Sequence, residues 1–115
     1  MSQIVIEEFE NGVVVHLSGQ FTGGKETDDL LTLINVHCTP PHNNVVLDLK
    51  EVTYLSSIAL GVFVKTNANI IKSQGNMVFC NVNEVVQNLF DITKVNSFFQ
   101  IAESVESAKA ALPKD

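Results

Sequence analysis

The stretch VVLDLKEVTYLSSIALGVFVKTNANIIKSQGNMVFCNV, residues 45–82, decides the fold. Its first five residues, Val45 to Leu49, form a short apolar run rich in β-branched side chains, which predicts a strand. Ile58 to Ser73 then carries apolar residues at three- and four-residue spacing, the period of a helix lying on a core, and Gly75 stops it. Met77 to Val82 reads as another strand. A strand, a helix and a strand in direct succession point to a mixed sheet carrying helices rather than to separate α and β layers.

Toward the N-terminus, Ile4, Val5 and Ile6 begin an apolar run that ends at Glu7 and Glu8, and Asn11-Gly12 is a strong hairpin dipeptide before VVVHLSG, residues 13–19. The chain therefore opens as a β-hairpin. Thr22, two glycines and the acids Glu26, Asp28 and Asp29 mark a helix start, with Leu30, Leu31, Ile34 and Cys38 as its apolar stripe and Pro40-Pro41 as its end. Toward the C-terminus, Asn83 caps a helix running to about Asp91, and Phe98, Phe99 and Ile101 lead into a final strand or packed loop. ESVESAKAAL, residues 103–112, closes the chain as a helix. No repeat, low-complexity tract or linker interrupts this order, so residues 1–115 read as one domain.

A chain of 115 residues that is 45% hydrophobic can bury one core without metal or disulfide staples. Cys38 and Cys80 are too few and too far apart for a disulfide framework or a four-ligand zinc site; small apolar filling in a reducing compartment is the simpler role. No secretory leader opens the sequence, and each apolar run breaks before the roughly 18 residues a membrane span needs, so a cytoplasmic protein without membrane insertion is expected. The formal net charge is −6, and all seven basic residues are scattered lysines with no arginine. Nucleic-acid binding is disfavoured by that distribution, and a basic protein partner is favoured.

Gly19-Gln20-Phe21-Thr22-Gly23-Gly24-Lys25-Glu26 nearly fits the phosphate-cradling pattern G-x-x-x-x-G-K-[ST], and Asp48 imitates the acid that would hold magnesium. Glu26, however, stands where a hydroxyl should ligand the metal, and its carboxylate would repel phosphates. A P-loop-like nucleotide-binding protein using Gly24 and Lys25 is thus a minor alternative, and the glycines read better as a helix entry. His37, Cys38 and His42 do not make a metal cluster, because adjacent helical side chains diverge and the third lies beyond two prolines. His16 has no sequence-near acid or nucleophile, and Tyr54 reads as packing beside a strand end. No catalytic residue, metal site or cofactor is expected.

Ser56 or Ser57 can cap the helix that follows, an interaction worth about 1 kcal/mol. At 100° per residue, Leu60, Val64, Ala68 and Ile71 form one stripe flanked by Phe63 and Ile70, which reads as the core face. The opposite stripe is Ile58, Val62, Lys65, Asn69 and Lys72, so Ile58 and Val62 are expected at the surface beside the serines. Phosphorylation of Ser57 would place a dianion at a helix N-terminus, where the dipole stabilises it. A partner docked on Ile58 and Val62 would lose affinity while the domain stayed folded.

The order of elements and the run from Val45 to Phe99 resemble the STAS domain, specifically the bacterial anti-sigma factor antagonists. In that family Asp-Ser-x-Gly-Leu-Gly opens the second helix, and a Gly-x-x-hydrophobic strand and two Leu-Phe-like pairs follow. Gly75-Asn76-Met77-Val78, Leu89-Phe90 and Phe98-Phe99 occupy those later places. Leu60 and Gly61 match the Leu-Gly of the motif, Ser56 replaces the aspartate, Ile58 a frequent second serine, and Ala59 the glycine, which narrows the room for backbone approach.

The resemblance implies an α/β STAS-like single domain, with a mixed sheet of four or five strands and about four helices packed mainly on one face. It implies Ser57 as the phosphorylated serine, with Thr22, Ser56, Ile58 and Val62 at the partner surface and Asp48 and Gly61 in support. The implied partners are an anti-sigma factor with serine kinase activity and a serine phosphatase, and the implied state is a monomer or weak dimer. Such a protein is not an enzyme. It would bind the anti-sigma factor when Ser57 is unphosphorylated, free a sigma factor, and so regulate transcription. A constitutive STAS adaptor in a lipid-transport or signalling assembly is the other reading within the family.

Overall fold

A computed structural model of the chain describes residues 2–37 and 43–112. Cys38, Pro40, Pro41 and His42 lie outside the described residues, and with them the stop of the first helix and two members of the rejected metal cluster. The elements run β1 (Gln3–Phe9), β2 (Gly12–Phe21), α1 (Lys25–His37), β3 (Asn44–Leu55), α2 (Ser57–Lys72), β4 (Asn76–Cys80), α3 (Glu84–Thr93), a 3-10 turn (Val95–Ser97), β5 (Gln100–Ala102) and α4 (Val105–Ala111).

The five strands form one sheet in chain order. The β1–β2 hairpin is antiparallel, with Phe9 opposite Gly12, and every later neighbour is parallel. Each parallel step therefore needs a crossover helix, and right-handed crossovers that always advance in one direction leave α1, α2 and α3 on the same face. The strand alternation agrees. Val13, Val15, Val45, Leu47, Met77 and Phe79 join the core beneath those three helices, whereas Val14, Val46, Val78 and Cys80 form a smaller core with Ala108 and Leu112 on the opposite face, under α4. Phe79 centres the larger core, its ring 4.3 Å from that of Phe99, 5.7 Å from Phe90 and 5.9 Å from Phe63, which ties β4 to α2, α3 and the entry to β5.

Three local readings change. The strand expected at Val45–Leu49 continues to Leu55, because Val52 and Leu55 keep burying into the core while the polar Lys50, Glu51 and Thr53 face water; register shifts at Ser18 and Gln20 of β2 absorb the irregular alternation. The core face of α2 is Ala59, Leu60, Phe63, Thr66, Asn67 and Ile70, whereas Val64, Ala68 and Ile71 are exposed. Apolarity alone misplaced that face because Thr66 is polar yet needs no water: its hydroxyl donates to Val62 O at 2.7 Å within the helix. At the helix end, the left-handed residue is Gln74 (φ 66°), not Gly75. Gln74 N donates to Ile71 O and Gly75 N to Ile70 O, a Schellman arrangement. Gly75 is required by crowding instead, since a Cβ there would stand 2.1 Å from Asn43 O.

Candidate partner-binding site

The C-terminal ends of β2 and β3 meet at Phe21 and Leu55, and Phe21 O accepts a 2.9 Å hydrogen bond from Ser56 N. The loops leaving both strands are thereby held side by side at the carboxyl edge of a parallel sheet, where such folds present their sites. Gly23, at φ 91°, lies so close to the first turn of α2 that a Cβ on it would be 2.3 Å from Ile58 Cγ2. Thr22, Ser56, Ser57 and Ile58 thus share one corner.

Within it the two serines divide the work. Ser56 has extended backbone angles and its Oγ accepts from Ala59 N at 3.0 Å, so Ser56 is the N-cap. Ser57 is the first helical residue, exposed, with no side-chain hydrogen bond among the described residues. The first turn of α2 holds no acid, which leaves the positive end of the helix dipole uncompensated next to that hydroxyl. Ile58 is 68% exposed on the outer side, while Val62 one turn on is half-buried. Gly61 faces solvent, and a Cβ there would meet nothing within 4 Å. Ala59 is fully buried, so its methyl group fills the core and leaves the surface beside Ser57 as open as a glycine would. Tyr54 is half-exposed just before the corner rather than packed away.

The glycine loop is occupied by the chain itself. Glu26 Oε1 accepts from Thr22 N (2.6 Å), from the Thr22 hydroxyl (2.5 Å) and from Gly24 N (3.4 Å), and Thr27 Oγ1 accepts from Gly23 N (2.9 Å). Hydrogen bonds from Thr22 above all pull the Glu26 carboxyl down to about 2. Lys25 turns to Asp29 at 3.0 Å. The amides that would cradle a phosphate already hold an anion, which removes the physical basis for a P-loop.

Asp48 lies elsewhere. It precedes Leu55 by seven residues, roughly 23 Å along an extended strand. Its register partner on β4 is Cys80, which belongs to the small core on the sheet face opposite α1, α2 and α3. His16 donates from Nδ1 to Asp48 Oδ2 (2.7 Å) and from Nε2 to Glu7 Oε1 (3.0 Å), and Asp48 Oδ1 also accepts from Asn81 Nδ2 and Lys50 N. Partial burial works against the charged imidazole, but its hydrogen bonds to Glu7 and Asp48 outweigh it and raise the His16 pKa. Burial likewise opposes the Asp48 carboxylate, and the bonds from Asn81, His16 and Lys50 N still lower its pKa. Asp48 therefore braces β1, β2 and the turn after β4 rather than the Ser57 corner. Burial, with the charge of Asp48 beside it, pushes the Cys80 thiol up to about 12, so it is not a reactive nucleophile at neutral pH. Among the described residues no three His, Cys, Asp or Glu side chains are grouped to hold a metal, and no helix is long and apolar enough to cross a membrane.

Comparison with known proteins agrees with this architecture. The STAS domain family matches residues 3–108, and the chain belongs to that family. Within it, similarity runs to anti-sigma factor antagonists: the anti-sigma-B factor antagonist of Bacillus subtilis is 38% identical over 58 residues, 50% of this chain and 53% of that protein. The chain spans about half the length of the curated relatives it matches. Among solved structures, an anti-sigma factor antagonist from Mycobacterium paratuberculosis superposes with a TM-score of 0.82 at 19% identity, covering 97% of this chain and 94% of that one. The Bacillus cell fate determinant SpoIIAA in its phosphorylated form gives 0.73 at 12% identity, covering 94% and 98%. At these identities the structures establish a shared fold.

Proposed function

We propose that the chain is a cytoplasmic anti-sigma factor antagonist that works as a phosphorylation-controlled binding switch. Unphosphorylated, it docks an anti-sigma factor with serine kinase activity through Thr22, Ser56, Ser57, Ile58 and Val62, and a sigma factor is freed. Phosphorylated on Ser57 by that kinase, it releases the partner, and a serine phosphatase resets it. It is the substrate and ligand of other enzymes and contributes no catalytic residue or cofactor of its own.

The observation that carries this reading is the division of labour between the serines: Ser56 caps the helix, and Ser57 stands exposed at its first turn with its hydroxyl uncommitted. A phosphate on Ser57 would meet a helix N-terminus without acids, so the added charge is stabilised within the domain and disfavoured only in a desolvated interface. Ser56 and aspartate are equivalent N-caps, so Ser56 keeps the cap that the family motif supplies with a carboxylate. The SpoIIAA structure supports the reading in one further respect, since a protein of the same fold is found in a phosphorylated form.

The test is incubation with the purified cognate anti-sigma factor and ATP, followed by mass mapping and binding measurements. Phosphate on Ser57, tight binding by Ser57→Ala, and loss of binding by both Ser57→Asp and Ile58→Asp are the expected results. Unmodified Ser57 together with binding that ignores Ser57→Asp yet is abolished by Ile58→Asp would instead identify a constitutive STAS adaptor.

A further inference from the structure

The outer face of α2 is not used by the fold. Ser57, Gly61, Val64, Ala68 and Ile71 follow one another at spacings of four and three, which lays them in one stripe along the helix. All five are exposed, Ile71 by 56%. Gly61 is the informative member. Its backbone is not left-handed, a Cβ on it would touch nothing, and glycine inside a helix is less stable than alanine. The fold alone gives no reason for a glycine there, whereas the close approach of a second backbone does.

Charge narrows what could approach. The chain as a whole has 13 acids against seven lysines, yet α2 from Ser57 to Lys72 contains no acid and carries Lys65 and Lys72. Placed at 100° per residue, both lysines flank the stripe on its solvent side. The surface of this helix is locally basic within an acidic protein, the reverse of what the net charge suggests for a partner.

We propose that the stripe from Ser57 through Gly61, Val64 and Ala68 to Ile71 seats an amphipathic helix of the partner whose apolar seam is edged by carboxylates. The inference rests on the reading of the Ser57 corner as the docking site and extends that site along the whole of α2, about 24 Å. Such a seat also gives Ser57 its leverage: a phosphate at the head of the stripe faces the partner's acids as well as a desolvated seam.

The experiment uses the purified cognate anti-sigma factor as probe and compares wild type, Ser57→Asp, Gly61→Ala, Ile71→Glu and the pair Lys65→Glu/Lys72→Glu. Gly61→Ala, Ile71→Glu and the lysine pair should each weaken binding about tenfold or more, and the lysine pair's effect should shrink as salt rises. Gly61→Ala should at the same time raise the midpoint of thermal unfolding, which separates lost contact from lost fold. Wild-type affinity in Gly61→Ala and Ile71→Glu, with Ser57→Asp still impaired, overturns the extended seat and leaves the corner standing. An unaffected lysine pair overturns its acidic edge. Failure of the wild type itself to bind overturns the corner reading and this inference together.

Discussion

Gly23 and Ile58 lock the two halves of the proposed docking corner together: Gly23 adopts φ 91°, and a Cβ on it would lie 2.3 Å from Ile58 Cγ2 and 2.9 Å from Ile58 Cβ. Gly23→Ala therefore suffers twice, from a left-handed backbone worth roughly 1–2 kcal/mol and from the overlap. Urea denaturation should show a loss at least of that size. Ile58→Ala in the same chain removes Cγ2 but not the backbone penalty, so a double-mutant cycle should recover only part of the loss. Additive losses would mean that the loop and the helix do not touch.

The serines should separate cleanly in stability. Ser56→Ala deletes the bond to Ala59 N and should cost about 1 kcal/mol, whereas Ser57→Ala should stay within about 0.5 kcal/mol of wild type. Equilibrium unfolding of the two variants checks the assignment, and equal losses would contradict it.

Gln74 holds the left-handed position that closes α2, a conformation that glycine adopts without strain. Gln74→Gly should raise the unfolding free energy by about 1 kcal/mol and leave partner binding unchanged. A destabilised variant would show that the Gln74 side chain contributes more than its backbone costs.

The His16 clasp should give stability a specific pH dependence. Because the folded pKa of His16 is raised, its contribution is fully present below the unfolded value of about 6.5 and is lost as pH rises through the folded pKa. Asp48, lowered in the folded state, contributes above its unfolded value of about 3.9 and loses that contribution as pH falls. The difference in stability between wild type and His16→Ala should therefore be largest between those two values and decline toward alkaline pH. Imidazole NMR should place the His16 midpoint above 6.5, and a midpoint at or below that value would dissolve the clasp.

The parts of this molecule written in local sequence were legible there. The first hairpin forms where Asn11-Gly12 placed it, although Glu10 and Asn11 make its turn and Gly12 already pairs with Phe9; Asn83 caps α3 through Val86 N, and the acids after Gly24 open α1, each through contacts within a few residues. Ile58 and Val62 were legible as a surface pair for the same reason, and Ile58 is exposed while Val62 is half-buried. What escaped depends on packing across the sheet. The rotation of α2 turns on a buried threonine that satisfies itself, and periodicity scores it as polar. His16 meets Asp48 because parallel register sets β2 beside β3, joining residues 32 apart in the chain. The same register carries Asp48 away from the corner that motif resemblance assigned to it. Gly61, matched to a motif glycine, was visible as a residue type, but only the empty space above it shows that the fold does not need it.

The central claim is that the charge on Ser57 decides binding, and the affinity of the cognate anti-sigma factor for the unmodified and the Ser57-phosphorylated protein measures it most directly. The account expects phosphorylation to weaken binding by at least about tenfold, or roughly 1.4 kcal/mol, with thermal unfolding unchanged. Equal affinity for the two forms, or a loss that appears only because the phosphorylated protein unfolds, would contradict it.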